Sequence, residues 1–346
     1  MSANEKAKRL LEVRNLRTTF KLDAGDVKAV RGISMHVDRG ESLGIVGESG
    51  SGKSVSMLSI MRLLPENALI EAESILFDGE ELTGKSERYM RSLHGNSIGM
   101  VFQDPMTSLN PLLQIGSQVT EPIRLHKGGS KASALKEAER LLELVEIPDA
   151  AKRLKQYPHE FSGGMRQRAM IAMAISCDPK LLIADEPTTA LDVTIQAQIL
   201  DLMTHLKEKL DTSIILITHN LGVIASMCSR VIVMYGGTIV EEGTTREIFR
   251  EPAHPYTWGL LKSIPESPGD AKRKLIPIPG SPPDLIAPPP GCPFAPRCAK
   301  AMKVCALRPP AETRLGETHR VACWLHHEYA GGARGVAAAR AAEALR

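Results

Sequence analysis

Gly47-Glu48-Ser49-Gly50-Ser51-Gly52-Lys53-Ser54 decides how this chain is read. The stretch fits G-x-x-x-x-G-K-[ST], and its surroundings suit that motif on both sides. Glu41 to Val46 reads as a short buried strand, and Ser54 to Leu64 (SVSMLSIMRLL) as an apolar helix. A nucleoside triphosphate needs many donors close to its oxygens without clash. Gly47, Gly50 and Gly52 let the backbone approach and turn its N–H groups inward. The helix N-terminus adds partial positive charge. Lys53 supplies a point charge for the outer phosphates, and the Ser54 hydroxyl suits Mg²⁺.

A second stretch, Gly79-Glu80-Glu81-Leu82-Thr83-Gly84-Lys85-Ser86, matches the same spacing. It carries two carboxylates and no glycine in its interior, and two negative charges would repel a polyphosphate. Its flanks are an alternating edge strand (Ser74 to Asp78) and a short polar piece (Ser86 to Ser92). It reads as a turn followed by a charged helical turn.

The 346 residues suffice for one large α/β domain with an appendage, and a 43% apolar content supports a core. The balance of 43 basic and 40 acidic residues gives no reason to propose nucleic acid as the main ligand. No apolar run approaches the roughly 18 residues of a membrane span, and the N-terminal MSANEKAKRLLEV has no signal core. A cytosolic chain with reduced cysteines is expected.

Leu10 to Phe20 and Val27 to Val37 alternate as half-buried antiparallel strands do, with a turn at Asp23 to Asp26. Ser97 to Phe102, Leu181 to Asp185 and Ser213 to Thr218 are further strands. Ile115 to His126, Lys131 to Ile147, Ser162 (as cap) to Cys177 and Val193 to Leu210 read as helices. Val231 to Tyr235 and Thr238 to Glu242 flank a Gly236-Gly237 hairpin turn. Strands alternating with helices imply a largely parallel, helix-covered sheet. Residues 252–310 hold 15 of the 23 prolines, so Ile276 to Gly291 reads as an extended connector rather than helix or central strand. A small Cys-containing element, 292–327, follows. The Ala/Arg-rich tail, 328–346, is expected to be a frayed helix or disordered.

Asp185 ends an apolar strand, where a carboxylate supports Mg²⁺ directly or through water. Glu186 beside it is placed to polarise an attacking water. Gln103 and His219 end other strands, and with the phosphate loop the four polar strand ends form one site. Ser162-Gly163-Gly164 offers a hydroxyl, two unhindered N–H groups and a helix N-terminus, a second anion site. One nucleotide hardly needs two such sites unless each serves a different copy of the protein.

The ordered set of Gly47–Ser54, Gln103, Ser162–Gln167, Leu181–Glu186, Ala190-Leu191-Asp192 and His219 resembles an ATP-binding cassette (ABC) ATPase over roughly residues 10–250. The resemblance implies a P-loop NTPase fold: a RecA-like parallel core, an antiparallel β subdomain and a helical subdomain of about 104–176, within a cassette of 1–250. It implies that two cassettes close head-to-tail on two ATP molecules, with Ser162, Gly163 and Gly164 of one capping the γ-phosphate held by the other. Asp192 matches the loop crossing that interface, His219 the γ-phosphate switch, and Ser54, Gln103 and Asp185 the Mg²⁺ site. Phe20 matches the aromatic that stacks on adenine, and is equally explained as a core strand residue. The signature departs from the common LSGGQ: it reads FSGGMRQR, and Met165 lacks the donor of a glutamine.

His254-Pro255-Tyr256-Thr257, the Pro-rich run and the Cys element extend the resemblance to the oligopeptide/dipeptide (and nickel) importer branch, over 251–327. An ATP-hydrolysing subunit on the cytoplasmic face of the membrane is implied. Its partners would be two transmembrane permease subunits, a sister cassette or itself, and indirectly a solute-binding protein. A soluble non-transport cassette usually carries two cassettes or a long coiled coil, and this chain has neither. A regulatory cassette that does not hydrolyse ATP is disfavoured by Glu186 and His219.

Cys292, Cys298, Cys305 and Cys323 contain no C-x-x-C pair. On ligand count they suit an iron–sulfur cluster, and His319, His326 and His327 leave a zinc site open. Four ordinary reduced cysteines are the plain reading. The resemblance favours a [4Fe–4S] cluster, and so short an element is expected to need such a staple.

Overall fold

The computed structural model describes residues 8–189, 191–263 and 277–327. Ala190, Ile276 and the tail at 328–346 lie outside the described residues. The chain divides into two compact units, one of residues 1–11, 36–42 and 76–217, the other of 12–35, 43–75 and 218–346.

In the first unit Ile98–Val101, Leu181–Asp185 and Ser213–Thr218 form parallel neighbours, Ile98 opposite Leu181 and Leu181 opposite Ser213. Leu181 to Asp185 and Ser213 to Thr218 are buried along their whole length. Continuous apolar runs of this kind belong to strands covered on both faces. Three helices, Ile115–Pro122, Lys131–Leu144 and Gly163–Ala174, pack together. Ala134, Ala138, Leu141 and Leu142 form the buried stripe of the second, at helical spacing. The helix expected to reach His126 stops being α-helical at Pro122 and continues as a π turn, Ile123–Lys127. Pro122 has no N–H for the ladder. The helix capped by Ser162 ends at Ala174, short of Cys177, ahead of Asp178 at φ 53° and Pro179.

In the second unit the strand Ser42–Val46 runs parallel to Arg230–Tyr235, with Leu43 opposite Arg230 and Val46 opposite Val233. Arg230–Tyr235 turns through Gly236 and Gly237 into Thr238–Thr244. Both glycines have positive φ (53° and 78°), which fits the two-residue hairpin turn that the sequence suggests. The long strands Arg9–Leu22 and Gly25–Asp38 are neighbours, and Ala68–Glu71 adds antiparallel to the first, Phe20 opposite Ala68. The connector from Pro277 to Gly291 contains neither helix nor strand. Its Leu285 carbonyl accepts from Lys28 N at 2.9 Å, and its Pro289 carbonyl from the Arg31 guanidinium at 3.2 Å. Arg320–Val321 pairs antiparallel with Glu242 and Glu241.

The second stretch with that spacing, Gly79 to Ser86, is a turn. Gly79 and Gly84 take positive φ, Ser86 caps the helix Glu87–Leu93, and Lys85 pairs with Glu80 at 3.3 Å.

Candidate functional site

The strand Ser42–Val46 delivers the chain to Gly47, and the loop is seated tightly against its own unit. A Cβ on Gly47 would overlap the Met234 carbonyl oxygen, and one on Gly52 would sit 2.6 Å from the Ala29 carbonyl oxygen. Gly52 (φ 99°) is also the left-handed cap of the helix Lys53–Ile60. Only glycine takes that conformation freely. The helix has no acidic residue in its first turn, so its positive end is not compensated there. Lys53 is buried, and its ammonium donates to the carbonyls of Gly47 (2.8 Å) and Glu48 (3.0 Å). The Ser51 hydroxyl is buried without a hydrogen-bond partner. Glycine cradle, buried ammonium, uncompensated helix end and orphaned hydroxyl together fit a polyphosphate. His219, in the same unit, follows directly on Thr218 and is exposed, with Asn220 capping the helix Leu221–Met227 behind it. Phe20 is half-buried on its strand.

In the other unit Asp185 is buried at the last position of its strand, and Glu186 follows at φ 46°. Glu186 N donates to the Ile217 carbonyl at 2.9 Å, which fixes the strand end. The structure brings two of the expected residues together: Gln103 Nε2 donates to Glu186 Oε2 at 3.0 Å. Thr189 Oγ1 donates to the same oxygen at 2.9 Å. The sequence reading missed Thr189, although a hydroxyl three residues beyond a strand-end carboxylate is a readable signal.

Ser162 caps its helix as expected, its hydroxyl accepting from Met165 N at 3.3 Å. Gly163 is exposed, and a Cβ on Gly164 would stand 2.8 Å from Ile195 Cγ2. Asp192 caps the helix Val193–Leu210 by accepting from Ile195 N at 2.9 Å.

Residues 30–189 match the ABC transporter family, and residues 240–305 match the oligopeptide/dipeptide transporter C-terminal region. The chain is 55% identical to the oligopeptide transport ATP-binding protein OppD of Bacillus subtilis (strain 168), over 92% of this chain and 89% of that protein. It is 53% identical to the dipeptide transport ATP-binding protein DppD of the same organism, over 93% and 96%. The chain belongs to the ABC transporter family. Among solved structures, the ATP-binding cassette MJ0796, dimeric and bound to ADP and Pi, superposes with a TM-score of 0.61. Identity there is 27%, over 68% of this chain and 99% of that one. CbiO1 from Clostridium perfringens gives 0.59 at 28% identity, over 70% and 92%. As an ABC ATPase the protein uses ATP with Mg²⁺ and hydrolyses it. No helix among the described residues is long and apolar enough to cross a membrane.

The cysteine element corrects one expectation. Among the described residues no group of three or more His, Cys, Asp or Glu side chains is arranged to hold a metal ion. Cys292, Cys298, Cys305 and Cys323 are therefore not supported as ligands of an iron–sulfur cluster, nor are His319, His326 and His327 as zinc ligands beside them. Burial pushes the Cys292 thiol up to about 11 and the Cys323 thiol up to about 12. The staple was expected because the element lacks a core of its own. The ABC ATPase supplies one. Val321 and Cys323 are buried with Ala253, and Leu325 packs on them. Phe294 sits against Tyr235, His254 and Tyr256, at 5.2, 5.8 and 5.3 Å between ring centroids.

Glu241 ties this packing together. It is 1% exposed and accepts from Ala253 N (2.6 Å), His254 N (2.9 Å), Thr257 Oγ1 (2.5 Å) and His319 Nε2 (2.8 Å). Burial alone would depress the His319 imidazole, but Glu241, with Glu247 and Glu251, outweighs it and raises its pKa. His326 Nε2 lies 2.9 Å from the Ala253 carbonyl oxygen.

His254 behaves oppositely. Burial pushes it down to about 4, and its neutral Nδ1 accepts from Tyr256 N at 3.0 Å. A depressed pKa favours the folded state above the unfolded value near 6.5. That contribution drains away as pH falls toward 4, by about 3 kcal/mol at most. Unfolding free energies measured from pH 7 to 4.5 should therefore fall less steeply in His254→Asn than in the wild type. An unchanged acid slope would remove His254 as the cause.

Proposed function

We propose that this protein is the ATP-hydrolysing subunit of an importer for peptides, dipeptides and oligopeptides included. It would sit on the cytoplasmic face of the cell membrane against two transmembrane permease subunits and pair with a second cassette, itself or a sister. A separate solute-binding protein would deliver the peptide. The observation that carries this reading is the match to peptide-transport ATP-binding proteins over nine-tenths of the chain, C-terminal region included. Exposed apolar side chains in the first unit, among them Met106 (62%), Leu112 (83%) and Leu125 (74%), suit a protein partner and support it.

In this reading residues 1–250 are the cassette, with a helical part near 104–176, and 251–327 the connector and cysteine element. Gly47, Glu48, Ser49, Gly50, Ser51, Gly52, Lys53 and Ser54 hold the phosphates, and Phe20 stacks on adenine. Ser54, Asp185 and Gln103 hold Mg²⁺, which neutralises charge on the phosphates. Glu186 is the base that takes a proton from the attacking water, and His219 senses the γ-phosphate. Ser162, Gly163, Gly164 and Asp192 act across the cassette pair. Closure on ATP would pull the permease between two states, and hydrolysis would reset it.

Uptake of labelled di- and oligopeptides into vesicles carrying the complete complex tests the function. ATP-dependent accumulation is expected. Peptide-independent turnover with no uptake of any peptide, in a complex that assembles, would overturn the peptide assignment.

A further inference from the structure

Within the phosphate loop Glu48 is out of keeping with its neighbours. It is a carboxylate in a loop whose ligand is a polyanion, and such a charge weakens binding unless something offsets it. The offset comes from the far end of the chain. Arg297 lies in the turn Ala295–Arg297 of the cysteine element, 249 residues away in sequence. Its Nη1 donates to Glu48 Oε2 at 2.6 Å and its Nη2 to Glu48 Oε1 at 3.1 Å, a two-pronged pair.

The guanidinium is built into place rather than lying on the surface. Nη1 also donates to Tyr235 Oη (3.1 Å), Nη2 to the Ile278 carbonyl (3.0 Å) and Nε to the Pro279 carbonyl (2.8 Å). Five donors meet five acceptors, the full capacity of the group. The side chain is 6% exposed against 27% for Glu48. Its central carbon, Cζ, stands 5.7 Å from the Tyr235 ring centre and 6.0 Å from that of Phe294. A second hold acts on the same loop residue: Glu48 N donates to Tyr256 Oη at 2.7 Å. Tyr256 is fully buried, with its ring 4.5 Å from that of Tyr235. Side chain and backbone of one loop residue are thus both gripped by residues beyond 250.

We infer that Arg297 is a positioning residue for ATP: it fixes Glu48 and cancels its charge, so that the phosphate loop meets the triphosphate preshaped and without a competing anion. Tyr256 fixes the backbone of the same residue. The cysteine element then serves the nucleotide site. The inference rests on Gly47–Ser54 being the phosphate-binding loop. It does not depend on which solute is carried.

The test is steady-state turnover by the full chain over a MgATP titration, with melting temperature recorded for each variant. Arg297→Ala should raise KM for MgATP about tenfold while kcat stays within about twofold. Adding Glu48→Gln to that variant removes the uncompensated charge, and KM should return to within about threefold of wild type. Tyr256→Phe keeps the ring stack and removes only the acceptor, and should raise KM about threefold. A purely structural role would lower the melting temperature and leave KM alone. An unchanged KM in a folded Arg297→Ala variant, or no recovery on adding Glu48→Gln, overturns the inference. If Arg297→Ala does not fold, an unchanged KM in Tyr256→Phe overturns it. Lys53→Ala separates the two readings. Undiminished ATP affinity there would sink the loop assignment itself, whereas loss there beside an unaffected Arg297→Ala would sink only the positioning role.

Discussion

Lys53→Ala is expected to leave no measurable ATP turnover, a loss of at least about 100-fold. The ammonium is the one positive point charge contributed by the loop sequence, and it is held by the carbonyls of Gly47 and Glu48. Alanine removes the charge from the phosphates and unties the loop from its own helix. The control is Lys85→Ala in the second stretch, Gly79 to Ser86, where the ammonium pairs with Glu80 and stands 4.4 Å from the ring centre of Tyr89. Turnover there should stay within about twofold of wild type, as for an ordinary surface ion pair. Phosphate release by the two purified variants is the measurement. If the two effects were exchanged, the triphosphate would belong to the other loop.

Glu186→Gln should separate binding from hydrolysis. The amide preserves the shape of the side chain and can still accept from Gln103 Nε2 and Thr189 Oγ1. It cannot take a proton from water, so hydrolysis should drop at least about 100-fold while ATP binding persists. The variant should then accumulate with ATP as a closed dimer, visible as a doubled mass on size exclusion that ADP does not produce. Wild-type hydrolysis in this variant would remove Glu186 from its role. Thr189→Ala is a gentler relative of the same change, because it takes away one of the donors that hold the carboxylate.

Much of this was legible in the sequence because the chemistry is local. Glycines of Gly47–Ser54, the cap at Ser162 and the carboxylates closing Leu181–Asp185 each act through near neighbours, and the strand Leu181–Asp185 and helix Val193–Leu210 fall where their patterns put them. What stayed hidden depends on partners distant in the chain. Arg297 and Glu48 are 249 positions apart, and His319 and Glu241 are 78 apart. No periodicity links such pairs. The cysteine element was misread for the same reason. Its composition was weighed as though it had to fold alone, whereas Phe294, Val321 and Cys323 are buried against Tyr235, Tyr256 and Ala253. Cysteine content suggested a staple where the observed cause of order is shared packing. The helix after Ile115 does run past His126, but its change from α to π geometry after Pro122 went unread because Pro122 was passed over as an ordinary residue of the run.

Glu241 makes one strand depend on the segment that follows it. The carboxylate sits on the strand Thr238–Thr244, but all four of the donors named for it, on Ala253, His254, Thr257 and His319, lie beyond residue 250. A buried carboxylate stripped of its partners costs several kcal/mol. A chain truncated after residue 250 would therefore keep the strand and lose what neutralises it. Trimming the protein from its C-terminal side is a change to its middle as well.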